Sequence, residues 1–275
     1  MKTKMKTKLL LCIAALAFSN LSTAETVLNA PEYKPLNNVR VSMQRMLRSS
    51  EGRYFLSLYA GIWNPHATLY DLVEPQTINL KGLQKGDQLN LKSVDADSEN
   101  ITNKTYQLSG ILNPNSGDLK AMLADGDDTL GKFIQFEPAI KVSAKPNFIF
   151  KFYGQEDINQ PYGSVLKRLD IVNKNNNNVA QSLTGFTAFP KSIGYMDINF
   201  DGYYDIVLSD ISGERTIQDK RYIYWMFNPK TQQFQRSPQL EKIVGFPNVH
   251  GEKQQIDFGE GQLYQVEKGL LNRME

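Results

Sequence analysis

Between Asp197 and Asp205, side chains that can offer a hard oxygen recur at a fixed rhythm. Counted from Asp197, they are Asp197, Asn199, Asp201 and Asp205 at positions 1, 3, 5 and 9, with Gly202 at position 6. On a tightly curled backbone, alternate side chains converge on one point, and carboxylate and amide oxygens are what Ca2+ coordinates. Gly202 permits the sharp turn, and the backbone carbonyl of Tyr203 supplies a further oxygen. Three carboxylates this close repel one another unless a cation lies between them. The spacing therefore predicts a Ca2+ site with Asp197, Asn199, Asp201, Tyr203 and Asp205 as ligands. The competing expectation is an acidic hairpin turn with no metal.

The loop does not follow the EF-hand pattern. Position 12 calls for a bidentate Glu, and Leu208 stands there. Its flanks alternate with a period of two (Ile193 and Tyr195 before it, Ile206 and Leu208 after it), so a strand enters and a strand leaves. A strand-loop-strand DxNxDGxxD element is similar to the calcium loops of integrin-type propeller repeats. Tyr203 and Tyr204 are expected at the loop apex, where rigid aromatics make partner contacts. Equally, they could cover the end of the sheet. Phe200 is expected to plug inward.

Catalytic constellations do not emerge. The two histidines, His66 and His250, sit beside turn residues with neither a paired acid nor a nucleophile at a recognisable spacing. GxSxG, HExxH, P-loop and dinucleotide fingerprints are missing. A metal saturated by protein oxygens leaves little room to activate a substrate, so the acidic loop reads as structural and the chain as a non-enzyme.

The elements that must position the loop follow a leader. Lys2, Lys4, Lys6 and Lys8 precede an apolar run from Leu9 to Phe18, and Ser22-Thr23-Ala24 places small residues before a cleavage point at Glu25. This is the pattern of a secretory signal peptide over residues 1–24, and it predicts an exported, periplasmic protein without membrane insertion. Without the leader, 31 − 4 = 27 basic residues face 29 acidic ones, a net charge of about −2. Such a balance does not favour nucleic acid. The single cysteine, Cys12, belongs to the leader, so neither a disulfide nor a thiol nucleophile is expected.

The mature chain reads as mainly β, in two modules of antiparallel hairpins or meander. Residues 25–145 form the first and 146–275 the second, which carries the calcium loop; Pro138 and Pro146 mark the junction. Val39 to Leu47 fits a short helix or a first strand. INLKGLQKGDQLNL and YQLSGILNPNSGDLKAML read as repeated hairpins, and Asp125 to Asp128 as a solvated turn. Phe148–Tyr153, Val165–Val172 and Arg221–Phe227 read as strands, the last a central one covered on both faces. Asn228-Pro-Lys-Thr231 turns it into Phe234. From Leu240 onward the chain reads as irregular, with a final strand at Gln262–Val266.

Asn199-Phe-Asp-Gly-Tyr-Tyr-Asp205, followed by Tyr222-Ile-Tyr-Trp-Met-Phe-Asn-Pro-Lys-Thr-Gln-Gln-Phe234, resembles a bacterial family of periplasmic calcium-binding lysozyme inhibitors and immunity proteins. The resemblance covers about residues 165 to 275; after Phe234 the chain departs from the family ending. It implies a protein that binds and inhibits a peptidoglycan hydrolase or other antibacterial effector, with Asp197, Asn199, Asp201 and Asp205 on Ca2+. The alternatives are a calcium-stabilised structural or adhesion module of the cell envelope, and an enzyme of unrecognised type.

Overall fold

The stretch that fits either helix or strand is a strand. In a computed structural model, which describes residues 33–94, 106–126, 130–143, 145–160 and 163–274, it forms β2 (Val41–Ser49), after a two-residue β1 (Lys34–Pro35). Gln44, Arg45, Met46 and Leu47 are all buried. A strand covered on both faces loses the alternation that distinguishes it from a helix. The expected leader (1–24) and the acidic turn residues Asp127 and Asp128 lie outside the described residues.

From β2 the chain runs as a meander through β3 (Tyr54–Ala60), β4 (His66–Asp71), β5 (Gln76–Lys85), β6 (Gln88–Ser93), β7 (Tyr106–Leu112), β8 (Leu119–Asp125) and β9 (Lys132–Pro138), each antiparallel to the next. β9 then returns to β2, pairing Leu47 with Pro138 and Ser49 with Phe136, and the barrel closes. Its interior is packed, not hollow: Leu56, Leu58, Leu69, Leu91, Leu108, Leu119 and Phe136 are completely buried, as the narrow bore of an eight-stranded barrel allows. The two similar hairpins of the sequence are β5–β6 and β7–β8. Their shared glycines mark where neighbouring backbones pinch together. A Cβ at Gly82 would lie 2.1 Å from the Asn90 carbonyl oxygen, and one at Gly110 would lie 2.5 Å from that of Lys120.

The expected module junction at residue 145 falls in the connection between β9 and β10 (Phe148–Glu156). β10 pairs with β11 (Ser164–Asn173), and the Asn-rich turn leads to β12 (Val179–Leu183). β13 (Ala188–Met196), β14 (Asp205–Asp210), β15 (Tyr222–Asn228) and β16 (Gln233–Arg236) continue antiparallel. β15 lies between β14 and β16; Ile223 and Phe227 face one apolar cluster and Tyr224 another. The sheet curls until β16 lies beside β12, where the Gln181 amide takes the place of a backbone pair. Its nitrogen donates to the Phe234 carbonyl and its oxygen accepts from the Phe234 N–H, both at 2.8 Å. The two halves have separate apolar clusters yet belong to one sheet, because β13 runs parallel to β2 through Ile193–Val41 and Tyr195–Met43.

The tail, expected to be irregular apart from a strand at Gln262–Val266, is a second sheet in which that strand is β19 (Leu263–Glu267), beside β17 (Asn248–His250), β18 (Gln255–Asp257) and β20 (Leu270–Arg273). The other strands hold three or four residues, too short for alternation to show. Val249, Ile256, Phe258 and Val266 join Met46 and Phe55, from the outer face of the barrel, in one cluster. Among the described residues, no helix is long and apolar enough to cross a membrane.

Gly251 is where this sheet touches the barrel. A Cβ there would lie 2.4 Å from Met46 Sδ and 2.6 Å from Phe55 Cζ. Gly251→Val is therefore expected to destabilise the fold by about 1–3 kcal/mol through overpacking. Urea unfolding checks this, and a variant as stable as the parent would mean that the contact carries no packing.

Candidate functional site

The loop from Asp197 to Tyr204 joins β13 to β14 as a hairpin, with Met196 opposite Asp205. Gly202 has φ +86, the left-handed conformation that residues with a Cβ resist. Phe200 also takes a positive φ, +55, and packs against the cluster under the second sheet.

Each loop carboxylate is turned onto backbone N–H groups. Asp197 Oδ1 accepts from the Asp201 N–H (3.1 Å) and Oδ2 from the Gly202 N–H (2.8 Å). Asp201 Oδ1 accepts from the Tyr203 N–H (2.9 Å), while Oδ2 accepts from Asn199 Nδ2 (2.9 Å). Asp205 reaches furthest. Its Oδ2 accepts from the Ile198 N–H (3.0 Å) and its Oδ1 from the Phe227 N–H of β15 (2.8 Å). One side chain thus ties the loop to the β15–β16 hairpin.

Asp197 is 3% exposed and Asp205 is fully buried, and neither forms an ion pair among the described residues. Burial pushes the Asp197 carboxyl up to about 7, helped by the Asp201 charge and opposed by its N–H partners and by the Lys145 ammonium. Burial also raises Asp205 well above the carboxylate range, despite the Phe227 and Ile198 N–H groups.

Among the described residues, no three Asp, Glu, His or Cys side chains form a ready-made cluster for a metal. The loop donors are nevertheless all hard oxygens, and each carboxylate oxygen accepts a single hydrogen bond and keeps a second lone pair. Lys145 draws on Asp197 only from beyond ion-pair distance, and two desolvated carboxylates without a contacting cation fit a hard cation in their chemistry.

The two tyrosines are packed, not free-standing. Tyr203 is half-buried against Phe227, ring centroids 5.4 Å apart. Tyr204 lies 5.0 Å from the Tyr195 ring, with Lys145 Nζ 4.0 Å from its own ring centroid and a hydrogen bond from Arg45. Sequence reasoning missed Arg45, Lys145, Ile140 and Val142. The last two close over the loop turn, where a Cβ on Gly202 would lie 2.5 Å from Val142 Cγ1 and 2.9 Å from Ile140 Cγ2. They are distant in the chain, and their residue types give no sign of a shared site. Comparison of the chain with known protein families, curated proteins and solved structures finds no match.

Asp205→Ala would strand two buried N–H groups, at an expected cost of about 2–5 kcal/mol, with Asp205→Asn milder because one acceptor survives. Denaturant unfolding of both variants checks the order. The raised carboxyls also set a pH trend for the protein in metal-free buffer. Folded Asp197 and Asp205 hold protons that the unfolded chain releases near pH 4, so the folded state binds more protons above that point. Stability is then expected to fall as pH rises from about 4 to about 7. Unfolding across that range in metal-free buffer reads it; a flat or rising profile would contradict the assignment.

Proposed function

We propose that this chain is an exported, calcium-stabilised binding protein that inhibits a peptidoglycan hydrolase, acting as an immunity protein and not as an enzyme. The single observation behind the calcium reading is the pair of buried loop carboxylates, Asp197 and Asp205, neither of them in an ion pair among the described residues. Asp197, Asn199, Asp201 and Asp205, with the Tyr203 carbonyl, would hold the ion, which would bring positive charge into contact with the carboxylates, where Lys145 acts on Asp197 only from beyond ion-pair distance. The inhibitor reading draws its support from the order of the loop and the β15–β16 hairpin, which resembles that of periplasmic lysozyme inhibitors. The Asp205–Phe227 bond is compatible with the two acting as one unit. A binding protein gains from such rigidity because less ordering entropy is lost on association.

Two measurements test the reading. Calcium is expected to raise the melting temperature of the parent protein relative to chelator, and Asp197→Ala or Asp201→Ala to abolish that rise. Identical melts in calcium and chelator would reduce the loop to a turn. In peptidoglycan lysis assays with a panel of muramidases and amidases, the protein is expected to inhibit at near-stoichiometric amounts, less so in chelator. A calcium-dependent melt without inhibition of any panel enzyme would favour a structural envelope module.

A further inference from the structure

Residues of the connection between β9 and β10 close over the acidic loop, and the connection is held at both ends. The Ala139 N–H donates to the Met46 carbonyl (2.9 Å), and the Asn147 carbonyl accepts from the Lys174 N–H (2.9 Å). Between these anchors, Ile140 and Val142 cover the Gly202 turn, and Lys145 reaches Tyr204, its Nζ 4.0 Å from the ring centroid. Lys145 makes no ion pair among the described residues. Asp197 attracts it, and Arg45 repels it. Arg45 is 5% exposed and is engaged elsewhere: its Nη2 donates to the Pro114 carbonyl (3.1 Å), and it hydrogen-bonds Tyr204.

Lys145 also lines a cleft with Ser116, Asp118, Glu137 and Lys141, whose charges already have partners. Lys141 pairs with Glu137, and Asp118 accepts from the Ser116 hydroxyl (2.7 Å). Lys145 is therefore a cation tethered beside the loop, drawn by Asp197 but not in contact with it. Asp197 and Asp205 are buried, so charges acting on them are screened less than they would be at the surface. Two positive charges drawn to one acidic site weaken each other's hold on it. Such a coupling acts equally in both directions.

We propose that Lys145 is a tethered competitor of the loop cation and sets how much calcium the loop needs. The proposal rests on the reading of Asp197, Asn199, Asp201, Tyr203 and Asp205 as calcium ligands. Without metal, the ammonium offsets part of the carboxylate charge from its place on the Tyr204 ring. With calcium bound, the same ammonium repels the ion. The site then fills only at a higher calcium concentration than its oxygen donors alone would require. Sites of low affinity are the ones that suit compartments rich in the ion.

Isothermal titration calorimetry with calcium chloride at low, fixed salt tests this on the parent and on Lys145→Met. The variant is expected to bind calcium about threefold or more tightly than the parent. Lys145→Gln, which keeps a polar head beside Tyr204, is expected to do the same, so the test survives if one variant fails to fold. Lys145→Arg, which keeps the charge, is expected to stay near the parent. Lys141→Met removes an equal charge that is turned onto Glu137, and it too is expected to leave the affinity unchanged. In chelator, Lys145→Met is expected to melt below the parent, with the gap closing in saturating calcium. Calcium affinity in Lys145→Met and Lys145→Gln equal to or weaker than the parent's overturns the proposal and leaves the calcium reading standing. Equal tightening by Lys141→Met reduces the effect to net charge and also overturns it. A parent that takes up no calcium overturns both the proposal and the calcium reading.

Discussion

β2 has two edges and three neighbours. One edge is taken by β3 along most of its length, and the other is divided: Val41 to Met43 pair with β13, while Leu47 to Ser49 pair with β9. The division is what makes a closed barrel and a second curled sheet possible on one continuous hydrogen-bonded surface. It also forces β2 to be buried on both faces, because the barrel core lies beneath it and the second sheet covers it from outside. Substituting this strand would therefore disturb three packing clusters at once, whereas a strand such as β6 serves one.

The acidic loop inherits its position from this arrangement. β13, which delivers Asp197, runs parallel to β2, and Arg45 on β2 reaches Tyr204 on the far side of the loop. Asp205 then links the loop to β15 through the Phe227 N–H. A short turn on its own would leave its carboxylates in water. Here neighbouring elements close over them, and the closure makes the lack of a contacting counter-charge energetically significant.

How much of this was legible in the sequence depended on distance along the chain. The β character, the two N-terminal hairpins and the strands around residues 165–172 and 221–227 are local patterns, and their alternation or turn residues sufficed. The oxygen donors of the loop were equally local, being set by spacing. β2 was ambiguous because burial on both faces erased its period. In the tail only the five-residue β19 was legible, because strands of three or four residues such as β17, β18 and β20 carry too few positions to show a period. The packing of Tyr203 on Phe227 and the cover from Ile140 and Val142 are long-range contacts between ordinary apolar residues, and nothing local announces them. The same holds for Lys145 on Tyr204, which stand in separate segments joined only by the fold.

The two closures differ in kind. β9 meets β2 through backbone pairs, but β16 meets β12 through side chains, the Gln181 amide on Phe234 and Arg236 Nη1 on the Gly185 carbonyl just beyond β12. A side chain can rotate away without disturbing any ladder, and an amide can hydrolyse to a carboxylate, which keeps the acceptor and loses the donor. Slow deamidation of Gln181 would leave the Phe234 carbonyl unpaired and weaken the seam, loosening two short strand edges of the kind that recruit other chains. The first barrel has no such latch. Stored protein would then age from its C-terminal half, with self-association preceding any loss of the N-terminal barrel.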